Sequence, residues 1–399
     1  MLRKTPPIAF PIELRDILGI IKRLDYSDSL TEFERCFANA FDLDDCFAVS
    51  SGKSALTLAL MALKDSAPNR TEVIIPAYTC PTVALSVVRA GLKVKLCDIS
   101  IDTLNIDISL LNQVVDENTL CIIAVHAFGF PCDMDSIYKI INDNGCYLVE
   151  DVAQSAGAKW NGHEIGSLGH LSCFSLGRGK SFTTYEGGVL GIGNASESIK
   201  KSLKSLSAPL KSPSISYSLR ILFQLTCMSY LQNPHAWWLI SKLPLGFDNQ
   251  YHSIDFPIRR LGKWQASLGL SVLQRLDSIN AIRIKNGMYL TQQLQNMENI
   301  AIPKTLDGAE PVYLRLPIIA KSRQIREEIY HKLNYVGIGV SRMYTNPLHR
   351  YDYLKDIVPD GNYPIAEYVA DRILALPTHP LMRERDLQKI VEVLRSIKE

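Results

Sequence analysis

The sequence predicts an α/β protein: a mainly parallel central sheet flanked by helices, followed by a smaller α+β domain toward the C-terminal end. Three observations predict it. From about residue 50 to 195, short apolar runs of strand length alternate with helical patterns, as in successive βαβ units. These runs are apolar throughout instead of alternating with polar residues, as in strands buried on both faces. Beyond residue 264 the rhythm changes to a long helix and then to strand and helix pieces in a different order.

In chain order, residues 54–63 read as a helix, with Leu56, Leu58, Leu60 and Leu63 among its apolar positions. Apolar runs at 73–76, 94–97, 120–126, 147–149, 171–176 and 188–192 read as strands, with helical stretches at 82–90 and 134–142 between them. Residues 207–257 break the alternation, being apolar but interrupted by Arg220, Gln224, Asn233 and prolines. This stretch is expected to be a dimer or substrate-cleft element. Contact with a membrane surface through Phe223, Trp237 and Trp238, or a plain satellite core, are the alternatives. Residues 264–294 read as one helix, 312–319 as a strand, and 322–334 and 384–397 as helices. The expected division is a larger domain over 1–257, including an N-terminal arm over 1–34, and a smaller domain over 258–399. At roughly 150 residues per domain, the length suits two or three.

Composition narrows the function classes. A chain that is 47% hydrophobic and 21% charged has the apolar content for a large core. A net charge of +2 without a long basic run argues against a nucleic-acid partner, since phosphate binding needs a concentrated basic surface. The nine cysteines form no C-x-x-C pair and several fall inside strand-like runs, so reduced thiols in a cytoplasmic protein are expected and no metal site. The N-terminus starts basic but carries prolines and acids in place of a sustained apolar segment, which argues against a signal peptide. No uninterrupted stretch of about 18 apolar residues predicts a membrane-spanning helix.

Three segments carry chemistry. In Val49-Ser50-Ser51-Gly52-Lys53-Ser54-Ala55-Leu56, a strand end meets Ser-Gly and then a helix. Free N–H groups at a helix start bind anions, and glycine lets backbone approach a phosphate. An ordinary N-cap is the bland alternative. A nucleotide P-loop would need glycine where Phe47 stands. In Tyr147-Leu148-Val149-Glu150-Asp151-Val152-Ala153-Gln154-Ser155, Asp151 follows an apolar strand. A buried carboxylate there needs a cation, and the protonated ring nitrogen of pyridoxal phosphate is one; a helix N-cap is the alternative. In the third segment, 173–188, Lys180 stands among small and apolar residues between two strands. Partial burial lowers a lysine pKa and frees the amine to attack a carbonyl; an exposed loop lysine is the alternative. Together, an anion cradle, a carboxylate and a lysine at the strand ends of one sheet are what a pyridoxal-phosphate site requires.

At this point the sequence resembles the DegT/DnrJ/EryC1/StrS family of sugar aminotransferases, with the type I aspartate-aminotransferase fold. Ser51-Gly52-x-Ser54-Ala55-Leu56 resembles the family's SGTAAL, and Ile75-Pro76-Ala77-Tyr78-Thr79 its P-x-x-T-F. Residues 98–107 resemble D-I-D-P-D-T-L-N-I-D, His126-Ala127-Phe128-Gly129 resembles HLYG, and Glu150-Asp151-Val152-Ala153-Gln154-Ser155 resembles EDAAQA. Cys173-Phe174-Ser175, Lys180 and Glu186-Gly187-Gly188 match CFSF, the lysine and EGG; Asn346-Pro347-Leu348-His349 and Leu376-Pro377-Thr378-His379-Pro380 also match.

The resemblance implies that Lys180 holds pyridoxal 5'-phosphate as a Schiff base and later shuttles the proton, while Asp151 pairs with the ring nitrogen. It implies Gln154 on the ring hydroxyl, Gly52, Lys53, Ser54 and Ser175 on the phosphate, and His126 near the ring. It further implies a keto-sugar substrate, nucleotide-linked, an amino donor such as glutamate, and a homodimer. The sequence departs from the family where Lys53 replaces Thr, and where Cys80 replaces the ring-stacking aromatic, with Tyr78 close by as a substitute. It departs again where Ile258 replaces the Asn that reaches the neighbouring subunit's phosphate, leaving Arg259 or Arg260 for that task. Family members with His at the lysine position act as dehydratases, and Lys180 argues against that chemistry. Amino transfer to a non-sugar carbonyl and a non-catalytic regulatory role are the alternatives.

Overall fold

The computed structural model describes residues 3–22, 28–241 and 253–397. The other residues, which include parts of the N-terminal arm and of the stretch 207–257, lie outside the described residues.

Strands β1 (Asp45–Val49), β2 (Glu72–Pro76), β3 (Lys93–Cys97), β4 (Thr119–Val125) and β5 (Tyr147–Asp151) are followed by a short hairpin, β6 (Lys159–Trp160) and β7 (His163–Glu164). Next come β8 (Leu171–Ser175) and β9 (Gly188–Ile192). The main sheet runs in the order β1-β9-β8-β5-β4-β2-β3. Strands β3, β2, β4, β5 and β8 are mutually parallel, and β9 runs antiparallel to both β8 and β1. Every residue of β4, at the middle of the parallel block, is buried, which is why its sequence reads apolar without alternation. Crossover helices return the chain between parallel neighbours. The helix Met134–Asn144, between β4 and β5, shows how its ends are written. Asp133 accepts the N–H of Ser136 at 3.0 Å, and Gly145 closes the helix at φ +60°.

Strands β10 (Ile300–Ala301), β11 (Ala309–Glu310), β12 (Arg315–Ala320) and β13 (Ile373–Pro377) belong to the second half of the chain. The order β10-β12-β13 makes a small antiparallel sheet, while β11 pairs with β6 of the hairpin. The N-terminal arm straps onto this half: Thr5 bridges Ile338, and the His379 ring donates from Nε2 to the Pro6 carbonyl at 2.9 Å.

Two expectations change. Residues 264–294 are two helices, Lys263–Leu273 and Leu276–Leu294, not one. Apolar periodicity continues through the break, but Arg275 is drawn to the N-terminal arm, pairing with Asp16, with Glu13 at 2.7 Å and with the Pro11 carbonyl at 3.1 Å. The first helix then packs on Ser29–Ala40, and the second on β12 and the helix Glu384–Arg395. The strand read at 312–319 starts at Arg315, because Tyr313 takes a left-handed φ of +47°. Residues 207–241 contain the helices Ile215–Leu231 and Pro234–Ile240; Ile221 and Leu225 are buried, while Ile215, Leu219, Phe223 and Tyr230 are exposed. Among the described residues no helix is long and apolar enough to cross a membrane.

Candidate active site

The parallel strands deliver three groups to the carboxyl edge of the main sheet. After β1, Ser51 caps the helix Gly52–Ser66, its hydroxyl accepting the Ser54 N–H at 3.1 Å. The N–H groups of Gly52 and Lys53 open the helix and have no acceptor within it. Two glycines allow the neighbouring backbones to meet here. A Cβ on Gly52 would stand 2.9 Å from the Ser175 Cβ, and one on Gly188 would stand 2.3 Å from the Ser51 carbonyl carbon. Ser54 Oγ lies 2.7 Å from Ser51 Oγ and 3.3 Å from the Pro257 carbonyl. Ser175 Oγ accepts the Gly177 N–H at 3.4 Å. The Lys53 amine lies over the Phe256 ring at 4.5 Å; burial lowers its pKa, and Cys80 and Glu186 oppose that shift.

The end of β5 supplies Glu150 and Asp151. Glu150 is fully buried and accepts three hydrogen bonds, from Gly166 N–H at 2.8 Å, Gly169 N–H at 2.5 Å and His126 Nε2 at 3.2 Å. His126 Nδ1 accepts the Cys132 N–H at 3.0 Å, so the ring is the neutral tautomer with its proton on Nε2. Asp151 is 7% exposed, and Oδ1 accepts the Ala153 N–H at 2.9 Å. Burial pushes its pKa up, against the pull of that N–H and of Lys180.

Lys180 lies on the loop joining the antiparallel strands β8 and β9. Burial lowers its pKa and Arg315 adds to the effect, while Cys80 and Asp151 oppose it. Among the described residues no carboxylate reaches ion-pair distance of its amine, so the ammonium form is less favoured than in water. Gln154 Oε1 accepts the Phe128 N–H at 3.3 Å, and its Nε2 donates to the Tyr344 hydroxyl at 3.2 Å. Phe128 and Tyr344 both hold left-handed backbone, at φ +58° and +36°, a strain that clusters at functional sites.

The structure also sorts the departures from the family pattern. The Tyr78 hydroxyl is committed to the backbone carbonyls of Met343 and Tyr344, so this buried side chain clasps the main sheet to the second half of the chain. Cys80 stands at the N-cap position of the helix Pro81–Arg89, with its thiol 3.0 Å from the Thr82 hydroxyl. Arg260 is consumed internally, donating from Nη2 to both Glu34 oxygens at 2.9 and 3.0 Å. Arg259 stacks on the Tyr217 ring at 4.8 Å, and among the described residues its N–H fork meets no carboxylate.

Four residues at the site escaped sequence reasoning: Glu150 as the anchor of His126, Arg283, Arg315 and Tyr344. Arg315 had a visible signal, a lone charge inside the otherwise apolar run Leu314–Ala320.

These residues fit pyridoxal 5'-phosphate. A helix start with free N–H groups suits its phosphate, a carboxylate raised by burial gains from a cationic ring nitrogen, and an unpaired, half-buried amine suits its aldehyde. The profile of the DegT/DnrJ/EryC1/StrS aminotransferase family matches residues 19–212 and 246–395. A GDP-perosamine synthase of Caulobacter vibrioides is 26% identical over 371 residues, covering 92% of this chain and 90% of that protein. A dTDP-3-amino-3,4,6-trideoxy-alpha-D-glucose transaminase of Streptomyces venezuelae is 26% identical over 370 residues, covering 92% and 86%. The solved GDP-4-keto-6-deoxy-D-mannose-3-dehydratase of E. coli, with bound hydrated pyridoxal phosphate, superposes with a TM-score of 0.79 at 24% identity, covering 99% of this chain and 100% of that one. The chain belongs to the DegT/DnrJ/EryC1/StrS aminotransferase family, whose cofactor is pyridoxal 5'-phosphate.

Proposed function

We propose that this chain moves an amino group from L-glutamate to a keto sugar carried on a nucleotide, toward amino sugars of a surface polysaccharide or glycosylated metabolite, and that it works as a cytoplasmic homodimer. The observation that carries the reading is Lys180: a half-buried amine with no carboxylate partner among the described residues, held near Asp151 at the carboxyl edge of a parallel sheet. The sugar acceptor rests on relatives whose names specify nucleotide-sugar products.

When bound, the cofactor supplies an electron sink through its protonated ring. Asp151 keeps that ring nitrogen protonated, with Glu150 and neutral His126 packed behind it. Gln154 orients the ring through its hydroxyl. Gly52, Lys53, Ser54 and Ser175 hold the phosphate, and Arg259 extends toward the partner subunit's phosphate. Lys180 holds the cofactor covalently through Nζ, and the same amine, once free, moves a proton at the donor's α-carbon. Cys80 and Tyr78 shape the wall where the family has an aromatic ring. In this reading residues 1–257 bind the cofactor and 258–399 close over the substrate.

The test is complete turnover. Purified protein with pyridoxal phosphate and L-glutamate is offered a panel of nucleotide-linked keto sugars and non-sugar keto acids, and aminated product is measured by mass spectrometry. Amination confined to the sugars supports the reading. Amination of keto acids alone replaces the acceptor, and no amination from any amine donor returns the chain to a regulatory role.

A further inference from the structure

The helices Ile215–Leu231 and Pro234–Ile240 fall between the two segments that the family profile matches, residues 19–212 and 246–395, so the family pattern does not account for them. The first of these helices is apolar on two faces. One face roots it in the protein: Ile221 and Leu225 are buried, and Tyr217, Leu222 and Met228 pack against the same core. The other carries Ile215, Leu219, Phe223 and Tyr230, which are 77%, 52%, 70% and 73% exposed. At about 100° per residue these four fall within an arc of about 80°, on the far side from Ile221 and Leu225, and the row runs for about 22 Å. Thr226 shares that arc, and its hydroxyl is already satisfied by the Leu222 carbonyl at 2.9 Å. On the following helix Leu239 is 61% exposed, and its neighbours in sequence, Trp237 and Trp238, are half-buried. A helix that is apolar all round is covered on both sides, and a continuous apolar row on a protein surface marks an interaction site.

Charge says what covers it. From residue 198 to 241 the sequence holds no Asp or Glu, while it holds Lys200, Lys201, Lys204, Lys211 and Arg220. Lys200 is spent on Asp44 and Glu197. The other four are exposed and, among the described residues, meet no carboxylate. Arg220 is held over the Tyr217 ring at 5.0 Å, about 100° round the helix from Leu219, at the rim of the apolar row. Lys211 stands four residues before the helix begins. An apolar, aromatic row joined to a basic stretch with no anion of its own is complementary to a lipid surface with negative headgroups. A second copy of this chain is a poorer match, because a two-fold interface centred on this face sets the same acid-free stretch against itself, and like charges so placed repel. We propose that the helix Ile215–Leu231 lies along the surface of an anionic phospholipid bilayer, with Ile215, Leu219, Phe223 and Tyr230 set among the upper acyl chains and Lys211 and Arg220 at the level of the phosphates. The contact is peripheral: the folded enzyme docks on the bilayer through one face, and no helix among the described residues is long and apolar enough to cross it.

Vesicle flotation tests it. Holoenzyme is mixed with vesicles of phosphatidylcholine alone, or of phosphatidylcholine and phosphatidylglycerol in equal parts, and the bound fraction is measured. The proteins compared are wild type, Phe223→Asp, Leu219→Gln, and a variant carrying Lys211→Gln and Arg220→Gln together, with melting temperature and light-scattering mass followed in each. Wild type floats with the mixed vesicles and far less with phosphatidylcholine. Phe223→Asp weakens binding about tenfold or more, as expected when a buried aromatic is lost, and Leu219→Gln weakens it several-fold. The double charge variant weakens it about tenfold, and so does raising salt from about 0.1 M to about 1 M, which cuts the screening length from about 10 Å to about 3 Å. Both apolar positions are exposed, so melting temperatures hold; should Phe223→Asp melt early, Leu219→Gln carries the comparison. Wild type that does not float with the mixed vesicles, flotation indifferent to headgroup charge, or flotation unchanged in both apolar variants overturns the proposal. A mass that halves in Phe223→Asp, with no vesicle binding in wild type, gives the face to a second copy of the chain and equally overturns it. Binding is read without turnover, so its failure leaves the aminotransferase reading standing, and a failure of amination leaves the flotation result standing.

Discussion

At the end of β5 the chain supplies nearly all that its charges need. Glu150 takes three donors, His126 has both ring nitrogens engaged, and Asp151 accepts a backbone N–H while keeping charge to offer. At the start of β12 the reverse holds, with Arg315 and Arg283 buried among neutral acceptors and a thioether. The main sheet's edge is organised in advance for a resident group, whose protein partners are already oriented. At the small sheet's edge, by contrast, no carboxylate among the described residues meets Arg315 or Arg283.

The comparison can be broken first at Asp151. Asp151→Asn removes the carboxylate from the organised edge and abolishes a buried ion pair with the ring. Losing one partner of such a pair costs about 3–5 kcal/mol, roughly a hundredfold or more in half-reaction rate, read by stopped-flow absorption. Gly188→Ala attacks the same edge through packing. Its Cβ would meet the Ser51 carbonyl carbon at 2.3 Å, backbone against a new methyl, so both the melting temperature and pyridoxal-phosphate affinity fall, at a cost of about 1–3 kcal/mol.

The paired arginines sharpen the comparison. Arg260→Gln strands the half-buried Glu34 and lowers thermal stability, with cofactor retention changed only through the fold. Arg259→Gln leaves the melting temperature of the apoprotein nearly unchanged and, if the proposed dimer forms, weakens retention of the cofactor. Equal effects on both readouts for both variants would remove the distinction.

The smallest effect is expected from His379, whose pKa burial drives down to about 4 while its ring donates to Pro6. A histidine held neutral in the fold contributes stability above its unfolded pKa of about 6.5, and loses it as pH falls toward 4. Urea titrations between pH 7 and 4 should show a shallower acid loss in His379→Gln than in wild type.

The organised edge was legible in the sequence because each of its parts is local. Ser51-Gly52 announces a strand–helix junction, Asp151 ends an apolar run, and Lys180 sits in a small-residue loop. The parallel sheet was legible because β4 and its neighbours carry no alternation. The small sheet's edge was not: Arg315 is visible as a charge in an apolar strand, but no local pattern says whether a carboxylate meets it. Arg259 and Arg260 are identical letters until Glu34 folds against one of them. The helix break at Gln274–Arg275 was hidden for a similar reason, since the acids that pull Arg275 aside lie some 260 positions earlier in the N-terminal arm.

The most direct test of the central claim is the visible absorption of protein purified with pyridoxal phosphate, compared with Lys180→Ala, before and after L-glutamate. The account predicts a band at about 410–430 nm in wild type that Lys180→Ala lacks and that glutamate bleaches. A wild-type protein without the band, or a band that survives loss of Lys180, would contradict it.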